Sequence, residues 1–259
     1  MSVIYLSREQ WGADPAHPRR GYRIGPARRT AVFIHHTTAI DRGDASPNTW
    51  ESLDEVRAQL QALQIARPDL GLDVPYNFVA FCMADGDLVI GEGRGEGRTA
   101  AHARGFNRSA LGIALAGNFD RLPLPEQLDS QLAALGGWLA ELRRSRGFEQ
   151  LGTSRPDPET ARQVFGHRDV KSTQCPGDHL WRRLGLIRFL EDPTWRAPGD
   201  AVNTAGDEER VFAAYDGDLK PSAFAAGTRR ALAVMLDRQL QLEARLAALE
   251  KRREDEPPG

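Results

Sequence analysis

Along the first 190 residues the apolar positions alternate between short continuous runs and helical spacing, and each change of period marks an element. Thr30 to Ile34 (TAVFI) is a β-branched and aromatic run that predicts a buried strand ending directly at His35 and His36. Asn48 is placed to cap a helix to about Ala66, because Trp50, Leu53, Val56, Leu60 and Leu63 recur at helical spacing before Pro68 and Gly71 stop the pattern. YNFVAFCM, from Tyr76, predicts a second apolar strand, and Asp85-Gly86 predicts a turn into a strand from Asp87 to Ile90. The glycine-rich stretch GEGRGEGRTAAHARGFN predicts a loop leading to a strand from Leu111 to Ala116. Pro125 opens an amphipathic helix to about Arg146, Gln163 to Phe165 is a short strand that delivers His167, and Gly177 to Leu190 predicts a final helix. Strands and helices in alternation predict an α/β fold of the mixed α+β kind, with a central mixed β-sheet flanked by helices over residues 1–190.

Beyond Glu191 the chain turns to Pro, Gly, Asp and Asn with little apolar period, which predicts a linker over 191–220. In 221–253 the positions Leu232, Met235, Gln239, Leu242, Leu246 and Leu249 step by threes and fours, the pattern of a short coiled coil with one polar inner position. A lone helix cannot bury that seam, so a homo-oligomer through the C-terminal helix is expected.

Composition narrows the function classes. The chain has 259 residues, 41% of them hydrophobic, enough for a sizeable core. Its 34 basic and 36 acidic residues are mixed along the chain for a formal charge of -2, so no nucleic-acid footprint is present. No run approaches the roughly 20 apolar residues of a membrane span, and the start MSVIYLSREQWG lacks the plan of a secretory signal. Synthesis in the cytoplasm is the expectation. The two cysteines, Cys82 and Cys175, call for separate explanations.

Three strand or loop ends each present a candidate metal ligand: His35 after TAVFI, His167 after QVFG, and Cys175 in the turn TQCPG. Two imidazoles and one thiolate leave one tetrahedral position for water, the donor set of a catalytic zinc rather than a structural one. Each residue also has a plainer reading. An HH pair at a strand end is often polar termination, and a cysteine is often a small buried hydrophobe, the reading that suits Cys82 in its apolar strand. Cys175, between Gln174 and Pro176 in a polar turn, is poorly placed for core packing.

The segments SREQWGADP, FIHHT, VPYNFVA, AHARGFNRSALGIALAGNF and FGHRDVKSTQCPG now stand in order along the chain. Over about residues 5–190 they resemble the motifs of the peptidoglycan recognition protein and type 2 N-acetylmuramoyl-L-alanine amidase superfamily. That resemblance implies a groove holding Zn2+ on His35, His167 and Cys175, and hydrolysis of the amide between N-acetylmuramic acid and L-alanine of peptidoglycan. It places Tyr76 where its hydroxyl would hydrogen-bond the attacking water or the substrate carbonyl, with Thr173 as a second candidate catalytic group. Thr173 stands where some phage-type members carry a lysine, as in catalytic recognition-protein amidases; Lys171 does not inherit that lysine's role. His36, Asn77, Arg94, His102 and Asn107 are the implied contacts to the muropeptide. For His36 a supporting role behind the metal stands beside that reading, and for Arg94, Arg98, Arg104 and Arg108 a solvated loop face stands beside binding of stem-peptide carboxylates. Glu96 departs from the pattern, since many members have an aromatic there. Asp169 is expected to fix its loop.

Two rival functions remain at this point: a receptor that binds peptidoglycan without cutting it, and an assembly protein built on the C-terminal helix. The ligand triad favours the enzyme over the first, and the short reach of the heptads disfavours the second. Among enzymatic settings, a phage-type endolysin is expected ahead of a cytosolic wall-recycling amidase.

Overall fold

In a computed structural model of the chain, the described residues are 1–38, 47–156 and 162–190, which belong to one unit, Met1–Leu190. The expected linker and C-terminal helix lie outside the described residues.

The strands are β1 (Val3–Leu6), β2 (Ala31–His36), β3 (Phe78–Cys82), β4 (Leu88–Glu92), β5 (Ala110–Leu115) and β6 (Phe165–Gly166). They form one six-stranded sheet in the order β1-β4-β3-β5-β2-β6. The β3–β4 hairpin is antiparallel and every other pair is parallel, so the sheet is mixed. The central strands are buried along their whole length, which explains why their sequences read as unbroken apolar runs.

Alternation along each strand sorts the side chains onto two faces. Val32, Ile34, Phe78, Ala80, Leu88, Ile90, Leu111 and Ile113 pack on one face with Leu132, Leu135 and Leu139 of α2 (Leu128–Ser145). Val79, Phe81, Val89 and Ala114 pack on the other with Val56, Leu60 and Leu63 of α1 (Leu53–Ile65). Phe33 lies on this second face but beyond α1, where Ala103 and Phe106 of the loop before β5 cover it. That face, at the β2 end of the sheet, carries the candidate site.

Two local expectations change, and one strand is added. Asn48 does not cap α1; Ser52 does, its Oγ accepting from the Glu55 N–H at 3.3 Å while a Glu55 carboxylate oxygen accepts from the Glu51 N–H at 3.1 Å. Asn48 instead ties loops together, accepting from Asn118 N–H at 2.7 Å and donating to the carbonyls of Arg121 and Pro123. The final helix from Gly177 to Leu190 shrinks to α3 (Asp178–Trp181) and a 3-10 turn at Leu184–Leu186. Beyond that turn the chain crosses α2 so closely that a Cβ on Gly136 would lie 2.4 Å from the Arg188 carbonyl, and the Gln163 amide oxygen accepts from the N–H groups of Phe189 and Leu190. β1 had no counterpart in the sequence reading, because its four residues, from exposed Val3 to buried Leu6, form too short a run to stand out.

Ser52→Ala is expected to cost about 1 kcal/mol, the usual worth of a helix cap. Asn48→Ala is expected to cost about 2 kcal/mol, since it strands the buried Asn118 N–H and removes two further hydrogen bonds to the carbonyls of Arg121 and Pro123. Urea denaturation midpoints of the two variants check both values; an unchanged midpoint in Ser52→Ala would remove the cap from Ser52, and one in Asn48→Ala would remove the loop tie from Asn48.

Candidate metal centre

Parallel pairing of β2 with β6 sets Phe33 opposite Phe165 and Ile34 opposite Gly166. The two phenylalanine rings stack at 4.8 Å, nearly parallel. With a side-chain period of two, the next residues on that face are His35 and His167, and their ring centroids lie 4.7 Å apart. His36 alternates away, which is why the first histidine of the pair is the one that reaches the site.

Cys175 arrives from the loop after His167. The Arg168 N–H donates to the Cys175 carbonyl at 2.9 Å, and the Arg168 guanidinium donates to the Gln174 carbonyl and pairs with Asp178 at 2.5 Å. Asp169 accepts from the Gly166 N–H at 2.8 Å and from the Trp181 indole at 2.9 Å, and it pairs with Arg162. It is the loop-fixing residue. Gly177, at φ +93°, closes the turn where a Cβ would meet the Phe119 backbone at 2.5 Å. The outcome is a donor set: one ligand atom each from His35, His167 and Cys175, all within 4.8 Å of one another, with the Cys175 Sγ 3.5 Å from the His35 Nδ1.

The donor chemistry fits zinc. Burial, then the neighbouring imidazoles His102, His167 and His36, hold the His35 proton affinity well below its ordinary value, and burial, then Lys171, lowers that of His167. Neutral imidazoles are what a metal needs. Burial pushes the Cys175 thiol up to about 12, although the His36 backbone N–H and Arg168 pull it the other way. A thiolate in this pocket therefore wants a cation beside it, and a divalent metal on two imidazoles is such a cation. Behind the triad, the His35 Nε2 lies 3.0 Å from the His102 Nδ1, so His102 can hold the His35 ring with its Nδ1 toward the cysteine.

The tyrosine ring of Tyr76 sits 5.3 Å from that of His35, with its hydroxyl 3.5 Å from the His36 carbonyl. The Thr173 Oγ1 accepts from the Cys175 N–H at 3.2 Å, which leaves its own proton to donate elsewhere. The structure gives the remaining sequence candidates the following partners among the described residues. Asn77 is fully buried; it donates both amide protons, to the carbonyls of Gly95 and Arg98, and accepts from the Gly112 N–H, so it ties the glycine-rich loop to β5. Asn107 accepts from the N–H groups of His102 and Ala103 and shapes their turn. Arg94 is buried against Asp73 and donates to the carbonyls of Val74 and Leu70. His102 is 6% exposed and packs so tightly on β5 that a Cβ on Gly112 would lie 2.3 Å from its ring, so it supports His35 instead of lining an open groove. His36, 5% exposed, keeps a buried Nδ1 with no partner among the described residues, and burial lowers its proton affinity to about 4.

Two features escaped the sequence reading. Arg29 is fully buried beneath the glycine-rich loop and donates to the carbonyls of Glu96, Arg98, Asn107 and Ala110. Trp181 lies between the guanidinium groups of Arg162 and Arg168, at 5.2 and 5.6 Å. Both depend on long-range packing that a run of residues does not display. Cys82 is a free, buried cysteine in the core, its thiol pushed up to about 12 by burial.

Comparison with known proteins agrees with this geometry. The family profile described as N-acetylmuramoyl-L-alanine amidase matches residues 26–178. Peptidoglycan-recognition protein 2 of Holotrichia diomphalia is 30% identical over 193 residues, covering 73% of this chain and 87% of that protein. Among solved structures, wild-type PGRP-LB of Drosophila superposes with a TM-score of 0.53 at 26% identity, covering 73% of this chain and 96% of that one. A tyrosine-to-phenylalanine mutant of the same protein, in complex with tracheal cytotoxin, matches with the same TM-score at 25% identity and the same coverage. A mixed sheet ending in a His, His, Cys donor set, and a family match across more than half its length, place this chain in the N-acetylmuramoyl-L-alanine amidase family.

Proposed function

We propose that the protein is a zinc-dependent N-acetylmuramoyl-L-alanine amidase, hydrolysing the amide between N-acetylmuramic acid and L-alanine of peptidoglycan. The observation that carries this reading is the convergence of His35, His167 and Cys175, an open three-ligand set, beside the Tyr76 hydroxyl. Zn2+ held by the three residues would act as a Lewis acid on the scissile carbonyl and lower the pKa of a water from about 15.7 toward 7.

The chain's own residues supply the rest. His35 and His167 are kept neutral by burial, and His102 holds the ring orientation of His35. Tyr76, fixed between His35 and the His36 carbonyl, donates to the oxygen on which negative charge gathers as water adds to the amide carbon. A preorganised donor of that kind is worth about 3 kcal/mol. Thr173, anchored by the Cys175 N–H, offers a second hydroxyl close in the chain to the cysteine. The peptidoglycan substrate is supported by the recognition proteins this chain resembles and by the tracheal cytotoxin complex of the PGRP-LB mutant. A phage-type endolysin is the setting we propose for it, supported by the sequence that continues past the family match.

A second reading, a receptor that binds peptidoglycan without cutting it, draws on the names of those relatives. Hydrolysis separates the two. Purified protein incubated with sacculi should release new L-alanine amino termini, contain about one zinc per chain, and lose activity to a chelator. Wall left intact by the zinc-loaded protein would favour the receptor.

Three variants probe the assigned roles. Cys175→Ser should lose most bound zinc, because a neutral hydroxyl replaces a soft anionic ligand, and metal analysis of the purified variant reads this directly. Tyr76→Phe should keep its zinc but lower kcat by about 100-fold, and an unchanged kcat would remove Tyr76 from the reaction. His102→Gln should weaken zinc binding by about 10- to 100-fold; wild-type affinity in competition with a chromophoric chelator would show that the contact to His35 does nothing for the metal.

A further inference from the structure

An open cavity of about 650 Å³ is walled by Arg19, Arg23, Arg94 and Arg98, with Gly25 and Gly97 at its edge. None of the metal-centre residues lines it. Its two sides come from the N-terminal segment and from the loop after β4, held together by an antiparallel bridge between Arg23 and Arg98, by Ile24 N–H to the Gly97 carbonyl at 2.9 Å and by Thr99 N–H to the Tyr22 carbonyl at 2.9 Å. The family match begins at residue 26, so it assigns nothing to Arg19 or Arg23.

The carboxylates around this cavity are already engaged. Glu92 pairs with Arg19 at 2.7 Å, Asp73 is shared by Arg8 and Arg94, and Glu96 pairs with Arg146 at 2.5 Å. Arg94 spends its donors on the protein interior. Arg98 makes one side-chain hydrogen bond, to the Gly21 carbonyl at 2.8 Å, and Arg23, which is exposed, makes none among the described residues. A Cβ on Gly25 or Gly97 would meet nothing within 4 Å, so the cavity mouth is clear. Like charges held together by backbone pairing repel one another, and the ligand that relieves them is an oxyanion, whose geometry matches the guanidinium fork.

We infer that Arg23 and Arg98, beside the Arg19–Glu92 pair, form an oxyanion-binding subsite, separate from the candidate metal centre, that takes a phosphate or carboxylate group of the cell-wall polymer. That the polymer is a wall component rests on the proposed amidase function; oxyanion binding itself does not. Two sources carry this chemistry, a phosphate-bearing wall polymer and a carboxyl group of the stem peptide. Guanidinium groups with open donors bind either, and size and charge separate them.

The test is calorimetric titration of the full-length protein at low ionic strength, where surface charge is least screened, with inorganic phosphate and with malonate as separate probes. Saturable binding is expected, weakened at least about tenfold in Arg23→Gln/Arg98→Gln and unchanged in Arg144→Gln/Arg182→Gln, two exposed positions outside the cavity. Tighter binding of phosphate assigns the site to a phosphate-bearing polymer, and tighter binding of malonate to a peptide carboxyl. Arg23→Glu alone, at an exposed position, gives the same loss should the double variant melt early. Absence of saturation with both probes, or wild-type affinity in the Arg23 variants, overturns the site. Since no hydrolysis is read, an inactive protein can still bind oxyanion, and an active one that fails to bind it refutes this subsite alone.

Discussion

The parallel pairing of β2 with the two residues of β6 is the constraint on which the rest of the site depends. Pairing Phe33 with Phe165 and Ile34 with Gly166 leaves only one way for the chain to continue, with His35 and His167 side by side on the face that α1 leaves uncovered. A slip of one residue would turn one imidazole to the α2 side and break the donor set. The short length of β6 is compensated by the stacked phenylalanine rings and by Asp169, which ties the loop back to Gly166 and Trp181.

Around this pairing the molecule satisfies buried backbone with buried side chains. The glycine-rich loop between β4 and β5 has no regular structure of its own, so its carbonyls are met from within by Arg29 and Asn77. Each is a fully buried polar residue whose partners are all main-chain groups. This is the physical reason that Asn77, at the head of the apolar run of β3, and Asn107, in the glycine-rich loop, spend their amides on main-chain groups: a loop crossing the protein interior must find its hydrogen bonds there.

The same accounting separates roles among the histidines. His35 and His167 face the cysteine, His102 stands behind His35, and His36 sits on the opposite side of its strand. All four are buried enough to stay neutral near pH 7, and neutrality suits ligation and hydrogen bonding alike.

The amino-acid sequence by itself determined the apolar runs of β2, β3 and β5, the amphipathic α1 and α2, and the residue types of the metal centre, because period and motif order are local properties of a chain. It also marked Tyr76, whose place follows from a short motif entering β3. Tertiary structure alone decided the jobs of Asn48, Asn77, Arg94, His102 and Asn107, since whether a polar side chain meets a ligand or a carbonyl depends on which distant segment crosses it. The end of the domain shows this most directly. The apolar residues from Leu180 to Leu190 have the composition of a helix, yet the close passage over Gly136 and the two hydrogen bonds to Gln163 draw the last of them into an extended path. No pattern within those residues records that passage, because the groups that impose it lie on α2 and beside β6.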